Sequence, residues 1–549
     1  MKFQVLPPRT SPNYVSEEEF ALIQNTWNDY SFETQYSLVY LGPKDNRTHN
    51  LIGTVKILKK GQTSNDGLQL TKNFNHLSEN FISVGQSLDY YERISALNET
   101  LRVQLLESLN DYVYHPELAK EFRLEDGWKT SLFRYFNEND NFLLTAKSLL
   151  NKNFDELQAT DLKFSFQVAG WDREVNFDYS LPVYAERVGG IAHPIPSRII
   201  SVIGRNGSGK STLLARIARV AYGSIKDRQD GAFSSAGRIF PGDISFPRII
   251  TVSYSAFDSF RLPGLRPTVE GEADERRQVV KDIRDGVGRF VFCGLRDVAA
   301  ELDFLIDEES QLEPIAASSD KVNTTLLKPI EQLASEFHRT LLLVKNNNAT
   351  HILDRALYCI SGDSSFSSHQ QPLTTNSLLE NNPLKLFLTW STGHKIVMHI
   401  IANLAAHTTQ SSLILIDEPE THLHPPLLAA LMHAIRMILA TKKAFAIVAT
   451  HSPVVLQESI VKHTLTIKRE GQVTTSTQPL KETFGENIGI LTGEIFGLNT
   501  RKTDFHAVLD QLIAQHGNLD VIEYFFQPHG LSMQARAYVV GELARRGLL

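Results

Sequence analysis

An α/β fold built around a parallel sheet is predicted by three stretches of this 549-residue sequence. In the first, the apolar run Ile199 to Ile203 leads into Gly204-Arg205-Asn206-Gly207-Ser208-Gly209-Lys210-Ser211-Thr212, and the helical pattern Leu213, Leu214, Ile217, Ala218 follows. In the second, Leu413-Ile414-Leu415-Ile416 ends in Asp417-Glu418-Pro419, and in the third Phe445-Ala446-Ile447-Val448-Ala449 ends in Thr450-His451-Ser452-Pro453. Short continuous apolar runs suit strands buried on both faces, and polar residues at their carboxyl ends are where open parallel sheets place ligands.

The first stretch has the spacing G-x-x-x-x-G-K-[ST] between a strand and a helix, the context a phosphate-binding loop requires. Glycines at 204, 207 and 209 let the backbone curl with N–H groups inward, so several donors and the positive end of the helix converge on one phosphate chain. Lys210 then reaches the outer phosphates and Ser211 ligates Mg²⁺. The nucleotide contacts of this site are expected from Gly204 through Thr212.

The second and third stretches supply the rest of a hydrolytic centre. Asp417 is placed to hold the Mg²⁺ shell, and Glu418 to position and deprotonate an attacking water. An Asp-Glu pair ending a strand is often just a turn or helix cap; the phosphate loop upstream favours the catalytic reading. His451, on the strand that follows the carboxylates, is expected to sense the γ-phosphate. Upstream, Trp390-Ser391-Thr392-Gly393-His394-Lys395 opens the helix pattern Ile396, Val397, Ile400, Ile401, Leu404. Serine there is first of all an N-cap, and the sharper expectation is that Ser391 and Gly393 present this helix start to a phosphate.

A chain of this length exceeds one hydrophobic core, so several compact units are expected. With 42% apolar and 21% charged residues it reads as globular, and a net charge of −7 argues against a surface coated for non-specific nucleic-acid binding. Two cysteines, Cys293 and Cys359, suggest neither disulfides nor a Cys-based zinc site. No signal core and no stretch of about 20 apolar residues is present, which predicts a cytoplasmic chain without membrane contact. The expected units are residues 1–70 with 160–260 as a β-containing first lobe, 71–159 as a helical insertion, 261–384 as a second helical insertion with a Ser-rich loop, 385–480 as a second lobe, and 481–549 as a C-terminal α region. Within them, Tyr36 to Leu41 and Leu51 to Leu58 read as a hairpin across a Gly-Pro-Lys-Asp turn, and 272–348 reads as helical without heptads.

The order of phosphate loop, Ser-x-Gly helix start, Asp-Glu strand and following histidine resembles ABC-type ATPase heads. That resemblance implies a P-loop ATPase fold, ATP and Mg²⁺ as cofactors, and a homodimer or higher oligomer in which each phosphate loop is completed by the partner's Ser391 helix. Thr392 and His394 stand where the class has Gly and Gln, and no glutamine follows the Val252 strand; both departures bear on hydrolysis rather than binding. Asp417-Glu418-Pro419-Glu420-Thr421-His422-Leu423-His424-Pro425 looks like the RecF, SMC-type and OLD ATPases, and with 391–395, 450–458 and Glu482-Thr483-Phe484-Gly485-Glu486-Asn487-Ile488-Gly489 it is similar to the PtuA ATPases of Septu antiphage systems, some of which accompany retrons. His422 and His424 have no third ligand in view and are read as inter-subunit loop residues. The sequence carries no H-N-H or Toprim constellation of its own. The resemblance therefore implies a partner HNH nuclease gated by this ATPase and, in retron relatives, a reverse transcriptase and RNA–DNA hybrid, with nucleic acid met through the complex. A RecF- or SMC-like role in DNA repair or chromosome maintenance is the alternative, with a transporter subunit behind it.

Overall fold

The computed structural model describes residues 1–12, 17–70, 72–182, 195–261, 263, 273–301, 303, 320–322, 325–366, 373–471, 473–495 and 505–548. Its centre is a seven-stranded sheet in the spatial order Phe290–Gly294, Ile249–Ser253, Leu413–Asp417, Phe445–Thr450, Ile199–Ile203, Thr464–Glu470, Val473–Thr477. All neighbours are parallel except the last pair, which forms an antiparallel hairpin. The α/β class read from the sequence is what the structure shows.

The central strands of the sheet are buried on both faces because they are predominantly apolar, while the outer hairpin Thr464–Glu470 and Val473–Thr477 carries polar, partly exposed residues. Ile414, Ile416, Ala446 and Val448 face a core shared with the helices Ile330–Asn346, Thr350–Ile360, Thr392–His407 and Pro425–Lys442. Leu413, Leu415, Phe445 and Ile447 face the other way, onto Leu213, Leu214 and Ile217 of the phosphate-loop helix Lys210–Tyr222. Alternate residues thus serve opposite layers. Fully buried aliphatics of this kind contribute about 1.5–3 kcal/mol each as an upper estimate.

The structure divides the first 260 residues differently from the sequence reading. Strands Phe3–Leu6, Phe20–Gln24, Gln35–Tyr40, Asn50–Lys59 and Phe81–Gly85 form one sheet, which includes the expected hairpin. Its core draws on the helices Leu88–Ser95 and Asn141–Asn151 that follow it, so residues 1–70 share a core with 71–159, joined from 160–260 by Ile225. The strand Phe81–Gly85 opens a segment read as helical; it pairs with Asn50–Lys59 and buries Ile82 and Val84 in that core. Lys163–Val168, Val175–Asp178 and Gly237–Phe240 instead form an antiparallel sheet sharing the core of the phosphate-loop helix.

Two further corrections concern 261–384. Phe290–Gly294, inside a stretch read as helical, is the edge strand of the central sheet, a five-residue run too short for its periodicity to separate strand from helix. The Ser-rich stretch 361–382 contains the helix Thr375–Glu380, capped by the Thr374 side chain; residues 367–372 of it lie outside the described residues. Residues Met1–Gly485 form one compact unit and Glu486–Leu549 another. The second is helical, with a small core of Leu509, Ile513, Ile522, Val539 and Leu543. Among the described residues, no helix is long and apolar enough to cross a membrane.

Candidate functional site

Parallel pairing brings three strand ends into one row. Asp417 is in register with Ala449, and Thr450 with Ile203, so the carboxylates, the histidine and the phosphate loop leave the sheet at the same edge. Sequence separations of more than 200 residues are closed by this ladder alone.

The loop Gly204–Gly209 turns from strand to helix with Gly207 at φ 77° and Gly209 at φ 101°, the left-handed region where a Cβ is penalised. Gly204 is a different case: its φ is ordinary, but a Cβ there would sit 2.5 Å from the Ile467 carbonyl oxygen and 2.6 Å from Ser208 Oγ. No side chain caps the helix Lys210–Tyr222, which leaves its first-turn N–H groups for a ligand. Ser208 Oγ is buried without a hydrogen-bond partner. Arg205 and Asn206 are exposed on the rim, and Ser211 and Thr212 are half-buried on the first turn. Lys210 is 4% exposed and donates from Nζ to the Gly204 carbonyl at 2.9 Å. Burial lowers its ammonium from the ordinary lysine value, while Glu418, Asp417 and Glu420 act against that shift.

Ser211 Oγ donates to Asp417 Oδ1 at 3.1 Å. Burial pushes the Asp417 carboxyl up to about 7; the Ser211 hydrogen bond opposes this, and the negative charges of Glu418 and Asp258 add to it. Once ionised, this strand-end carboxylate and the hydroxyl beside it are the hard oxygen donors a small divalent cation takes, with phosphate oxygens and waters completing the shell. Among the described residues, no group of three or more His, Cys, Asp or Glu side chains is arranged as an independent metal site.

Glu418 adopts φ 47°, a strained conformation for a residue with a Cβ, and its N–H is anchored to the Ala449 carbonyl at 2.9 Å. Its side chain stays about one-third exposed, open to water. His451 Nδ1 lies 3.6 Å from Glu418 Oε1 and 3.1 Å from Glu420 Oε1. Glu420 Oε1 also accepts from Thr450 Oγ1 at 2.8 Å and from the His451 N–H at 2.7 Å.

Ser391 caps the helix Thr392–His407, accepting from the His394 N–H at 3.3 Å, and is exposed. Gly393 lies against the loop of the acidic motif, where a Cβ would meet the His422 carbonyl at 3.3 Å. Among the described residues, no hydrogen bond joins Ser391 to the phosphate loop. His394 Nε2 lies 2.9 Å from Ser365 Oγ, and His424 caps the helix Pro425–Lys442 by accepting from the Leu427 N–H.

Three neighbours of the site escape the sequence reading. The Trp171 ring sits 3.0 Å from where a Gly209 Cβ would be, brought there by the loop after Lys163–Val168. Asp258, beyond the strand Ile249–Ser253 where no glutamine was found, pairs with the buried Arg296 at 3.3 Å. Neither position has a local motif; only the sheet order could reveal them. Glu420 lies within the quoted acidic motif, but its contact with His451 crosses 31 residues.

Residues 298–457 match the family described as "AAA domain, putative AbiEii toxin, Type IV TA system". Protein ea59 of Escherichia phage lambda is 29% identical over 513 residues, covering 91% of this chain and 90% of that protein. Among solved structures, the SMC head domain from Thermotoga maritima aligns at 12% identity over 59% of this chain and 100% of that one, with a TM-score of 0.26. A SmcHead bound to the C-winged helix domain of ScpA aligns at 12% identity over 58% and 98%, also at 0.26. The phosphate loop lies outside the matched family segment, which contains Ser391, Asp417, Glu418 and His451.

Proposed function

We propose that this chain is an ABC-type ATPase that binds ATP with Mg²⁺ at the edge formed by Gly204–Thr212, Asp417, Glu418 and His451. The Ser211–Asp417 contact carries the reading, since it joins the end of the phosphate loop to the carboxylate strand as a cation bridging both would require. Lys210, Ser208 and the free helix N–H groups bind and orient the phosphates. Bound Mg²⁺ supplies charge neutralisation at the phosphate oxygens. Glu418, exposed and anchored by its backbone, orients and deprotonates the attacking water, and His451 stands beside it toward the γ-phosphate. Ser391 and Gly393, on a surface-exposed helix start, complete the site of a second copy, so that two heads close on two nucleotides. Trp171 beside Gly209 offers the base a stacking surface.

At the level of biology the reading is an ATPase subunit of an antiphage effector, of Septu or retron-associated type, that assembles and gates a partner HNH nuclease, with a reverse transcriptase and RNA–DNA hybrid in the retron form. Similarity over nine-tenths of the chain to a phage-encoded protein, and the toxin-system name of the matching family, support a setting in phage and host conflict. The test is co-expression with the native neighbouring genes, purification on a tag, native mass spectrometry and nucleic-acid extraction. Co-purification of a small nuclease supports the reading. An isolated ATPase that binds duplex DNA overturns it in favour of repair or chromosome maintenance.

A further inference from the structure

The acidic motif holds a carboxylate with no part in the hydrolytic scheme so far. Glu420 is only 10% exposed in its side chain, and its two oxygens differ in every respect. Oε1 accepts from Thr450 Oγ1 at 2.8 Å and from the His451 N–H at 2.7 Å, and lies 3.1 Å from His451 Nδ1. Oε2 is buried with no partner. A turn residue needed only to tie the strand end would be satisfied by the first two bonds, one to the Thr450 side-chain hydroxyl and one to the His451 backbone. The third contact is to the imidazole itself. A carboxylate oxygen accepts and does not donate, so at 3.1 Å it favours the ring proton on Nδ1; the contact is at ion-pair range and is not an aligned hydrogen bond.

We infer that Glu420 is a positioning residue for His451, fixing the ring with Nδ1–H inward and Nε2 toward the nucleotide. The inference rests on the proposed ATPase reading for its kinetic consequence. The second contact of Nδ1, 3.6 Å to Glu418 Oε1, is too long to fix the ring against this one. With the imidazole held by Glu420, the Glu418 carboxylate remains free for water, so the two acids divide their work: one aims the histidine and one handles the nucleophile. His451 is about half exposed and would otherwise turn freely about its side-chain torsions. Loss of the anchor should act on orientation, where displacements near 1 Å cost up to about 10²-fold.

The experiment compares full-length protein with Glu420→Ala, Glu420→Asp and Glu420→Gln, by ATP turnover and by ring ¹⁵N signals after selective histidine labelling, His451→Gln assigning the resonances. Glu420→Ala is expected to lower kcat by about 10- to 100-fold with KM for ATP within about twofold, and to replace the Nδ1–H signal of His451 by a tautomer mixture. Glu420→Asp, which keeps the charge but withdraws the oxygen, should show the same ring signature and covers the case in which Ala does not fold. Glu420→Gln keeps an acceptor oxygen and should stay within about threefold of the parent, with the Nδ1–H form retained. Unchanged His451 signals in Glu420→Ala or Glu420→Asp overturn the inference, as does a Gln variant as slow as Ala with its tautomer intact, which would make Glu420 a proton-transfer group. If the parent protein hydrolyses no ATP, the ATPase reading fails, and the ring signals alone decide the role of Glu420.

Discussion

Gly204→Ala tests whether the phosphate loop is held in place by the sheet behind it. The added Cβ would stand 2.5 Å from the Ile467 carbonyl oxygen and 2.6 Å from Ser208 Oγ. The Ser208 hydroxyl can rotate away. The Ile467 carbonyl cannot, because it belongs to the strand Thr464–Glu470, paired in parallel with the phosphate-loop strand through Thr466 and Ile203. Relieving that contact to 3.0 Å needs an opening of about 0.5 Å, and overpacking of this kind costs about 1–3 kcal/mol. If the sheet holds, the loop gives way, and ATP affinity falls by about 5- to 150-fold. A fluorescent-nucleotide titration measures the loss, and thermal melting shows how much is borne by the fold instead. The double variant Gly204→Ala with Ser208→Ala discriminates further: it should bind no more tightly than Gly204→Ala alone. Parental affinity and melting in Gly204→Ala, or full rescue by Ser208→Ala, would refute the assignment of the constraint to the strand carbonyl.

Four further outcomes are expected. Glu418→Gln should retain nucleotide binding and slow hydrolysis by about 10² to 10⁴, read by equilibrium titration alongside phosphate release; unchanged turnover would remove Glu418 from its role. Lys210→Ala deletes a buried ammonium and should weaken ATP binding by about 10- to 100-fold in the same titration. Ser391→Ala removes an exposed cap and should cost about 1 kcal/mol in melting while lowering turnover at least about tenfold, a split that a purely structural cap would not give. His399, 2% exposed, is driven to about 3 by burial, with Lys328 adding; Tyr254 Oη and Cys293 Sγ face its Nδ1, and Glu336 lies near Nε2. The unfolded histidine protonates first, so stability should be whole above about pH 6.5 and decline as pH falls toward 3. His399→Gln should flatten part of that decline in melting curves taken from pH 7.5 to 4.

The chemical inventory of the site was legible in the sequence because each part is local. The phosphate loop needs its glycines, Lys210 and Ser211 within nine residues; in the structure Ser211 bonds the strand-end carboxylate Asp417, while Lys210 donates back to the Gly204 carbonyl. The central strands were legible for the same reason, since a segment buried on both faces is apolar at every position. Phe290–Gly294 and Phe81–Gly85 were not, because five residues fit either period and pairing with a distant strand decides between them.

The sequence by itself therefore determined which groups the candidate site contains: a Gly-rich strand-to-helix loop, an acid pair and a histidine. Tertiary structure decided which of them meet. The reason for Gly204 is a carbonyl 263 residues away, Trp171 reaches Gly209 from a separate sheet, and Glu420 meets His451 only because parallel pairing sets Asp417 level with Ala449. Such contacts depend on strand order and register, which side-chain chemistry read along one chain does not encode locally.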